Sequence, residues 1–328
     1  MASTETHELQ PVQKLEDLKI RHERIKADGV DLHVAVVGQG PPVILLHGFP
    51  ENWRSWHRQF AALVHAGFSV WAPDMRGYNL SERPSDREAY HLRHLIADVA
   101  SVVHATGYPR AHIGGHDWGG IVAWTFAGHN PDLVDKLVIF NAPHLAIYLE
   151  KVRRPPQMFR SWYVLFFLLP RLPERALSAR NFGAVRDMFK RLPTRAGAFS
   201  DEDIDQYIRA LSSPGALTAG LNYYRANLRS DGVALARSAR IAAETLVIWG
   251  DHDPAMGPEV LDGLEKVAPR VRVHRIPDAS HWVQNEAPDE VNRVLTNFLV
   301  GEHRGESQSV GESHALEPWR EPMRTKEC

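Results

Sequence analysis

Asp117 stands in Gly114-Gly115-His116-Asp117-Trp118-Gly119-Gly120, between the apolar residues around Ile113 and a helical pattern that begins at Gly119. A short strand, a glycine-flanked sharp turn and a helix form the setting in which serine enzymes raise their nucleophile, written G-x-S-x-G. Such a turn holds its central residue in a strained conformation, and the small residues Gly115, Gly119 and Gly120 leave room for it. A carboxylate in the serine's place changes the chemistry. It can displace a leaving group at a saturated carbon and become an ester of the protein.

Three further segments fit a nucleophilic Asp117. His47-Gly48-Phe49-Pro50 follows the apolar run Val43 to Leu46, where a loop supplies one backbone N–H of an oxyanion hole. The residue after the nucleophile supplies the other, so the pair is Phe49 and Trp118, and His47 is expected to brace the loop. Leu246 to Trp249 runs into Gly250-Asp251-His252-Asp253, and Asp253, three residues past the glycine, is the acid expected to orient a histidine. Asp278-Ala279-Ser280-His281-Trp282 offers His281 as the base. At pH 7 an ordinary aspartate, with a pKa of about 3.9, is ionised, and an ordinary histidine near 6.5 is mostly neutral, as a general base must be. The chain order is nucleophile, acid, histidine.

These groups need a rigid frame. Arg24 to Val37 alternates around Asp28-Gly29 and reads as a β-hairpin. Pro42 to Leu46 is wholly apolar, as expected of a buried strand, and further strand runs are read at 68–72, 112–114, 136–140, 245–249 and 271–276. Helical periodicity lies between them, at about 56–65, 91–105, 119–129, 257–267 and 288–299. Strands alternating with helices predict an α/β fold, a mostly parallel sheet covered on both faces. From about His144 to Arg240 the alternation stops and proline-broken helical patterns take over. The expected organisation is a core of 1–143 and 241–300, a helical cap of 144–240 inserted after strand 6, and a disordered polar tail of 301–328. Phe166, Phe167, Leu168 and Trp124 are expected to give the pocket an apolar lining. Residues 151–195 hold eleven Lys and Arg against Glu174 and Asp187. Such a stretch is ordinarily a solvated outer face; it would also attract an anionic substrate tail or a membrane surface.

Taken together, HGFP, GGHDWGG, GDHD and SHW resemble the soluble epoxide hydrolases of the α/β-hydrolase superfamily, over about Arg24 to Val300. The resemblance implies an α/β-hydrolase fold and conversion of an epoxide to a vicinal diol through a covalent ester on the aspartate. It also implies two cap tyrosines that hydrogen-bond the epoxide oxygen. Leu221-Asn222-Tyr223-Tyr224-Arg225-Ala226-Asn227 is similar to the family's N-[WY]-Y-R-N motif, which maps one of them to Tyr224, and the other matches Tyr163. Tyrosine, with a pKa near 10, stays protonated at pH 7 and can donate to the oxygen as the ring opens. Tyr148, Tyr207 and Tyr223 are read as structural. The implied partners are a small apolar epoxide and water, with no cofactor and no metal, in a monomer or homodimer.

Bulk properties bound the alternatives. The chain has 328 residues, 44% of them hydrophobic, and a formal net charge of −2, which gives no reason to expect nucleic-acid binding. Its one cysteine is Cys328, so no disulfide can form within the chain, which fits a reducing, cytoplasmic setting. The first twenty residues lack the apolar stretch of a signal peptide, and the run Trp162 to Leu169 is far too short for a transmembrane segment. A haloalkane dehalogenase would share the aspartate and histidine, but it needs two or more N–H donors for the halide. Trp118 could be one; the second is commonly a side chain at the position of Phe49, which has no donor, or a cap tryptophan, and the tyrosine pair would be surplus. A fluoroacetate dehalogenase would place arginine where Trp118 stands. A non-catalytic binder on the same scaffold is the third reading, against which the intact acid–base set argues.

Overall fold

The structure, a computed structural model, describes residues 18–228 and 231–301. The predicted tail therefore lies, apart from Gly301, outside the described residues. The hairpin appears as β1 (Arg21–Lys26) and β2 (Asp31–Gly38). The apolar runs become β3 (Pro42–Leu46), β4 (Ser69–Pro73), β5 (Ala111–His116), β6 (Val134–Phe140), β7 (Glu244–Gly250) and β8 (Val271–Ile276). All eight join one sheet in the order β1-β2-β4-β3-β5-β6-β7-β8. The β1/β2 and β2/β4 pairings are antiparallel and the rest are parallel. This is the mostly parallel sheet expected from the alternating pattern, in the α/β-hydrolase arrangement that the resemblance implies.

Every residue of β3 is buried, because helices cover both faces of the sheet and leave no side for polar groups. Those helices are α1 (His57–His65), α2 (Leu92–Ala105), α3 (Asp117–His129), and, after the last strand, α11 (Val283–Glu286) and α12 (Pro288–Val300). Two apolar clusters form, one on each face. Phe60, Leu63, Leu295 and Phe298 belong to one, and Val99, Val102, Val122 and Phe126 to the other.

Between β6 and β7 the described chain is helical: α4 (Leu145–Lys151), α5 (Gln157–Arg160), α6 (Trp162–Phe167), α7 (Leu172–Arg191), α8 (Asp201–Ser212), α9 (Ala216–Asn227) and α10 (Asp231–Ser238). Helix α7 is interrupted at Ala179–Phe182, three of whose four residues have positive φ. Five of the eleven cations of the basic stretch within this insert are paired with acids from other segments. Lys151 meets Asp262, Arg160 meets Glu259, Arg186 meets Asp205, Lys190 meets Asp201 and Arg195 meets Asp278.

One expected helix does not form. Residues 257–267 make two 3-10 turns, Pro258–Leu261 and Leu264–Lys266, instead of an α-helix. Asp262 is extended and Gly263 has φ +93°, which breaks the helical path between the two turns.

Candidate active site

The sheet order reverses around β3, with β4 on one side and β5 on the other, and the C-terminal ends of β3 and β5 open a crevice there. Both chemical loops start at that point. Asp117 follows β5 directly, as the first residue of α3, with φ +49°. A left-handed conformation at a non-glycine residue is strained, and it turns the carboxylate up out of the sheet edge. Its neighbours permit this. A Cβ on Gly115 would collide with the Gly119 carbonyl, and one on Gly48 would collide with the side chain of Asp117 itself.

The loop after β3 reaches the nucleophile position from the other side. The Phe49 N–H donates to Asp117 Oδ1 at 2.8 Å. Trp118 is the next residue, in the first turn of α3, where backbone N–H groups lack helical partners. His47 braces this loop. Its Nε2 accepts from the Met75 amide at 3.0 Å, which leaves Nδ1 to donate to the Gly48 carbonyl at 2.9 Å. Complete burial lowers its pKa and keeps the ring neutral, as that pattern requires.

Asp253 and His281 meet beneath the same crevice. His281 Nδ1 lies 2.8 Å from Asp253 Oδ2, and His281 Nε2 lies 3.8 Å from Asp117 Oδ2, beyond direct hydrogen bonding. Asp253 Oδ1 accepts the Ala255 and Met256 amides. Burial opposes its ionisation, but the His281 charge and these hydrogen bonds outweigh that and hold its pKa below the ordinary value. Asp251, the neighbouring acid, instead faces Arg275 at 2.7 Å.

The electrostatics of His281 differ from expectation. Burial pulls its pKa down, yet Asp253, then Asp117 and Glu51, more than offset this and raise it to about 9. With all three carboxylates present the ring is an imidazolium at pH 7, not the mostly neutral histidine read from the sequence.

The two predicted tyrosines flank the same carboxylate. Tyr163 on α6 and Tyr224 on α9 have ring centroids 6.5 Å apart, and both line cavities that contain Asp117. Burial, with the nearby Asp117 charge, raises both phenol pKa values well above ordinary, so each hydroxyl keeps its proton. The Trp118 ring packs edge-on against Tyr224 at 5.0 Å. Tyr148, Tyr207 and Tyr223 are buried in packing positions; Tyr223 donates to the Arg76 carbonyl and Tyr148 to Ser161.

Two cavities open from Asp117. The larger, about 690 Å³, is lined mainly by apolar groups including Phe166, Phe167, Leu177, Met188 and Trp282, and it contains His281. The smaller, about 30 Å³, is closed by Ile121, Leu145, Tyr148, Val164, Leu228 and Met256. Phe166 and Phe167 line the site as expected. Trp124 and Leu168 do not: Trp124 donates to the Ala142 carbonyl inside the core, and Leu168 packs half-buried against it.

Three supporting groups escaped the sequence reading. Asn141, at the end of β6 with φ +38°, donates to Asp253 Oδ2 at 2.9 Å and accepts from the Gly250 amide at 2.8 Å. His116 sits between Glu51 Oε2 at 2.9 Å and the His281 carbonyl at 3.0 Å, with both side chains of the His116–Glu51 pair fully buried. Glu286 accepts the Ser280 amide and hydroxyl through one oxygen and the Thr194 and Arg195 amides through the other. Only Asn141, at a strand end directly before Ala-Pro, carried a sequence signal, that of a turn residue. Among the described residues no group of three or more His, Cys, Asp or Glu side chains is arranged to hold a metal ion. Nor is any described helix long and apolar enough to cross a membrane.

An eight-stranded sheet with an aspartate on its central strand-to-helix turn and an Asp–His pair on later loops defines a hydrolase of the α/β-hydrolase class. The family described as alpha/beta hydrolase fold matches residues 41–288. Epoxide hydrolase 3 of Xenopus tropicalis is 37% identical over 84% of this chain and 76% of its own. An AB hydrolase superfamily protein of Bacillus subtilis is also 37% identical, over 84% of this chain and 96% of its own. The solved structure of Bacillus megaterium epoxide hydrolase in complex with an inhibitor is 34% identical, with a TM-score of 0.75 over 84% of this chain and 99% of that one. The chain belongs to the α/β-hydrolase fold family and, within it, to the epoxide hydrolases.

Proposed function

We propose that the protein hydrolyses apolar epoxides to vicinal diols in two covalent steps, with 144–240 acting as a cap over a core of 1–143 and 241–300. The observation that carries this reading is the convergence of Asp117, His281 and two protonated tyrosines on one apolar cavity. Asp117 Oδ1 is held by the Phe49 amide, so Oδ2 is the atom that attacks a ring carbon. As that C–O bond forms, the ring C–O bond breaks and its oxygen takes a proton from Tyr163 or Tyr224. The phenolate regains a proton from the His281 imidazolium through solvent. Donors aimed at this developing charge favour the transition state over the ground state.

The ester that results carries no charge on Asp117. One of the carboxylates raising the His281 pKa is thereby gone, and the neutral ring becomes a base when a base is needed. It takes a proton from water as the hydroxide adds to the ester carbonyl. Oδ1, now the oxyanion, already faces the Phe49 amide, and the Trp118 amide completes the hole. Collapse restores the Asp117 carboxylate, and the leaving alkoxide takes the added hydroxyl's proton to give the diol. A single turnover in heavy-oxygen water tests the scheme. The first diol should carry unlabelled oxygen from Asp117, and label in that first product would overturn it.

Cavity shape narrows the substrate class. A space of about 30 Å³ takes a hydrogen or a methyl, whereas about 690 Å³ takes a long or aryl apolar group. The favoured epoxides are therefore terminal or methyl-substituted, with a single large apolar arm. Halide release is the lesser reading: Phe49 offers the cavity only a ring, and although Trp162 and Trp282 also line it, the two tyrosines beside Asp117 would have no task in it.

A further inference from the structure

The helices around the cavity mouth expose an unusual amount of apolar surface. Phe159 is 67% exposed, Trp162 66%, Leu165 71% and Leu172 52%, with Met158 and Leu169 also exposed. Helical hydrogen bonds run nearly without break from Phe159 to Leu169, through Ser161, Val164 and Leu168. The spacing of Phe159, Trp162, Leu165 and Leu169 is three, three and four residues, which aligns them on one face. A monomeric protein rarely leaves a contiguous apolar strip uncovered, and such a strip marks a docking surface. Exposed basic residues frame it, Arg153 and Arg154 before and Arg171 and Arg175 after.

We propose that this strip, Phe159 to Leu172, docks the protein on the surface of an anionic lipid bilayer, with the apolar side chains in the acyl boundary and the flanking arginines among the headgroups. An apolar strip framed by cations complements such a surface on both counts. A second copy fits worse. A two-fold contact through this face would set the same arginine-rich rims against each other, and residues 151–195 hold only two acids. The strip is also continuous with the cavity. Trp162 belongs to both, and Leu192, itself exposed, lines the mouth. An apolar ligand dissolved in the bilayer therefore passes into the 690 Å³ cavity without crossing bulk water.

The test is co-sedimentation of the full chain with vesicles of phosphatidylcholine, alone or mixed with phosphatidylglycerol, and it reads no catalysis. The protein should sediment with the mixed vesicles at low salt and be released at about 1 M salt, where charges are screened beyond roughly 3 Å. Phe159→Ser with Leu165→Ser should weaken partitioning by about a hundredfold, since each such side chain removed from water is worth on the order of tenfold. Neither residue lines the cavity, so hydrolysis of a water-soluble epoxide and the unfolding midpoint should be unchanged. Arg171→Glu with Arg175→Glu should lose only the preference for anionic vesicles. The proposal is overturned if the wild-type chain stays in solution with anionic vesicles, or if both variants sediment as it does. It is equally overturned if light scattering shows a dimer that the Phe159/Leu165 variant splits.

Discussion

Replacing Asp117 by asparagine keeps the side chain's shape while removing its charge, and so reproduces at the ground state what ester formation does during turnover. His281 is raised from 6.5 to about 9, a shift worth about 3 kcal/mol of preference for the protonated ring. Burial opposes that shift, and Asp253 carries the largest favourable share, with Asp117 and then Glu51 behind it. Asp117 Oδ2 is 3.8 Å from the ring, a separation at which two charges near a protein surface interact by at most about 4 kcal/mol. After Asp253, Asp117 is the largest source of the upward shift, so removing its charge should lower the midpoint. The assay is a nitrogen-15 NMR titration of the His281 ring in the wild-type and Asp117→Asn proteins, with the resonance assigned through His281→Gln. The wild-type midpoint should lie near 9 and the variant's nearer neutrality. An unmoved midpoint would refute the claim that loss of the Asp117 charge turns an imidazolium into a base.

Other perturbations read separate parts of the site. Tyr224→Phe should slow ring opening by about 10²- to 10³-fold in single-turnover kinetics, the usual cost of one lost donor, and Tyr163→Phe added to it should slow it further. Asn141→Ala removes a donor from Asp253 Oδ2 and should cost on the order of 1–3 kcal/mol of stability, measured by urea unfolding, with a loss in kcat larger than any change in KM. Leu145→Ala enlarges the small cavity and should raise kcat/KM for epoxides bulky on both sides relative to terminal ones; an unchanged ratio would remove the shape argument. Because the folded His281 pKa is raised, its contribution to stability is fully present below pH 6.5 and is lost as pH rises through about 9. Thermal midpoints should fall across that window in wild type and less so in His281→Gln.

Much of the frame is legible in the letters because β3 to β7 are buried on both faces and so read as continuous apolar runs. The 257–267 segment misleads because its apolar spacing suits a helix while Asp262 and Gly263 adopt backbone angles that no periodicity reveals. Asp117, Asp253 and His281 are found through their motifs, and the structure brings them together from β5, β7 and β8. The charge on His281 was not legible. It arises from carboxylates 28, 164 and 230 positions away in the chain, which only the fold makes neighbours. The ion pairs of the basic stretch were equally illegible, since the acids that meet part of it, such as Asp262 and Asp278, come from elsewhere.

Glu286 ties two distant segments of the fold to one post. The turn that carries His281 and the segment leaving α7 both hang from its carboxylate, so displacing either would cost a buried group two of its four donors. Amide hydrogen exchange should accordingly be slow at Thr194 and Ser280 and faster there once Glu286 is replaced by alanine. One buried acid thus fixes the place of His281 and the exit of α7 together.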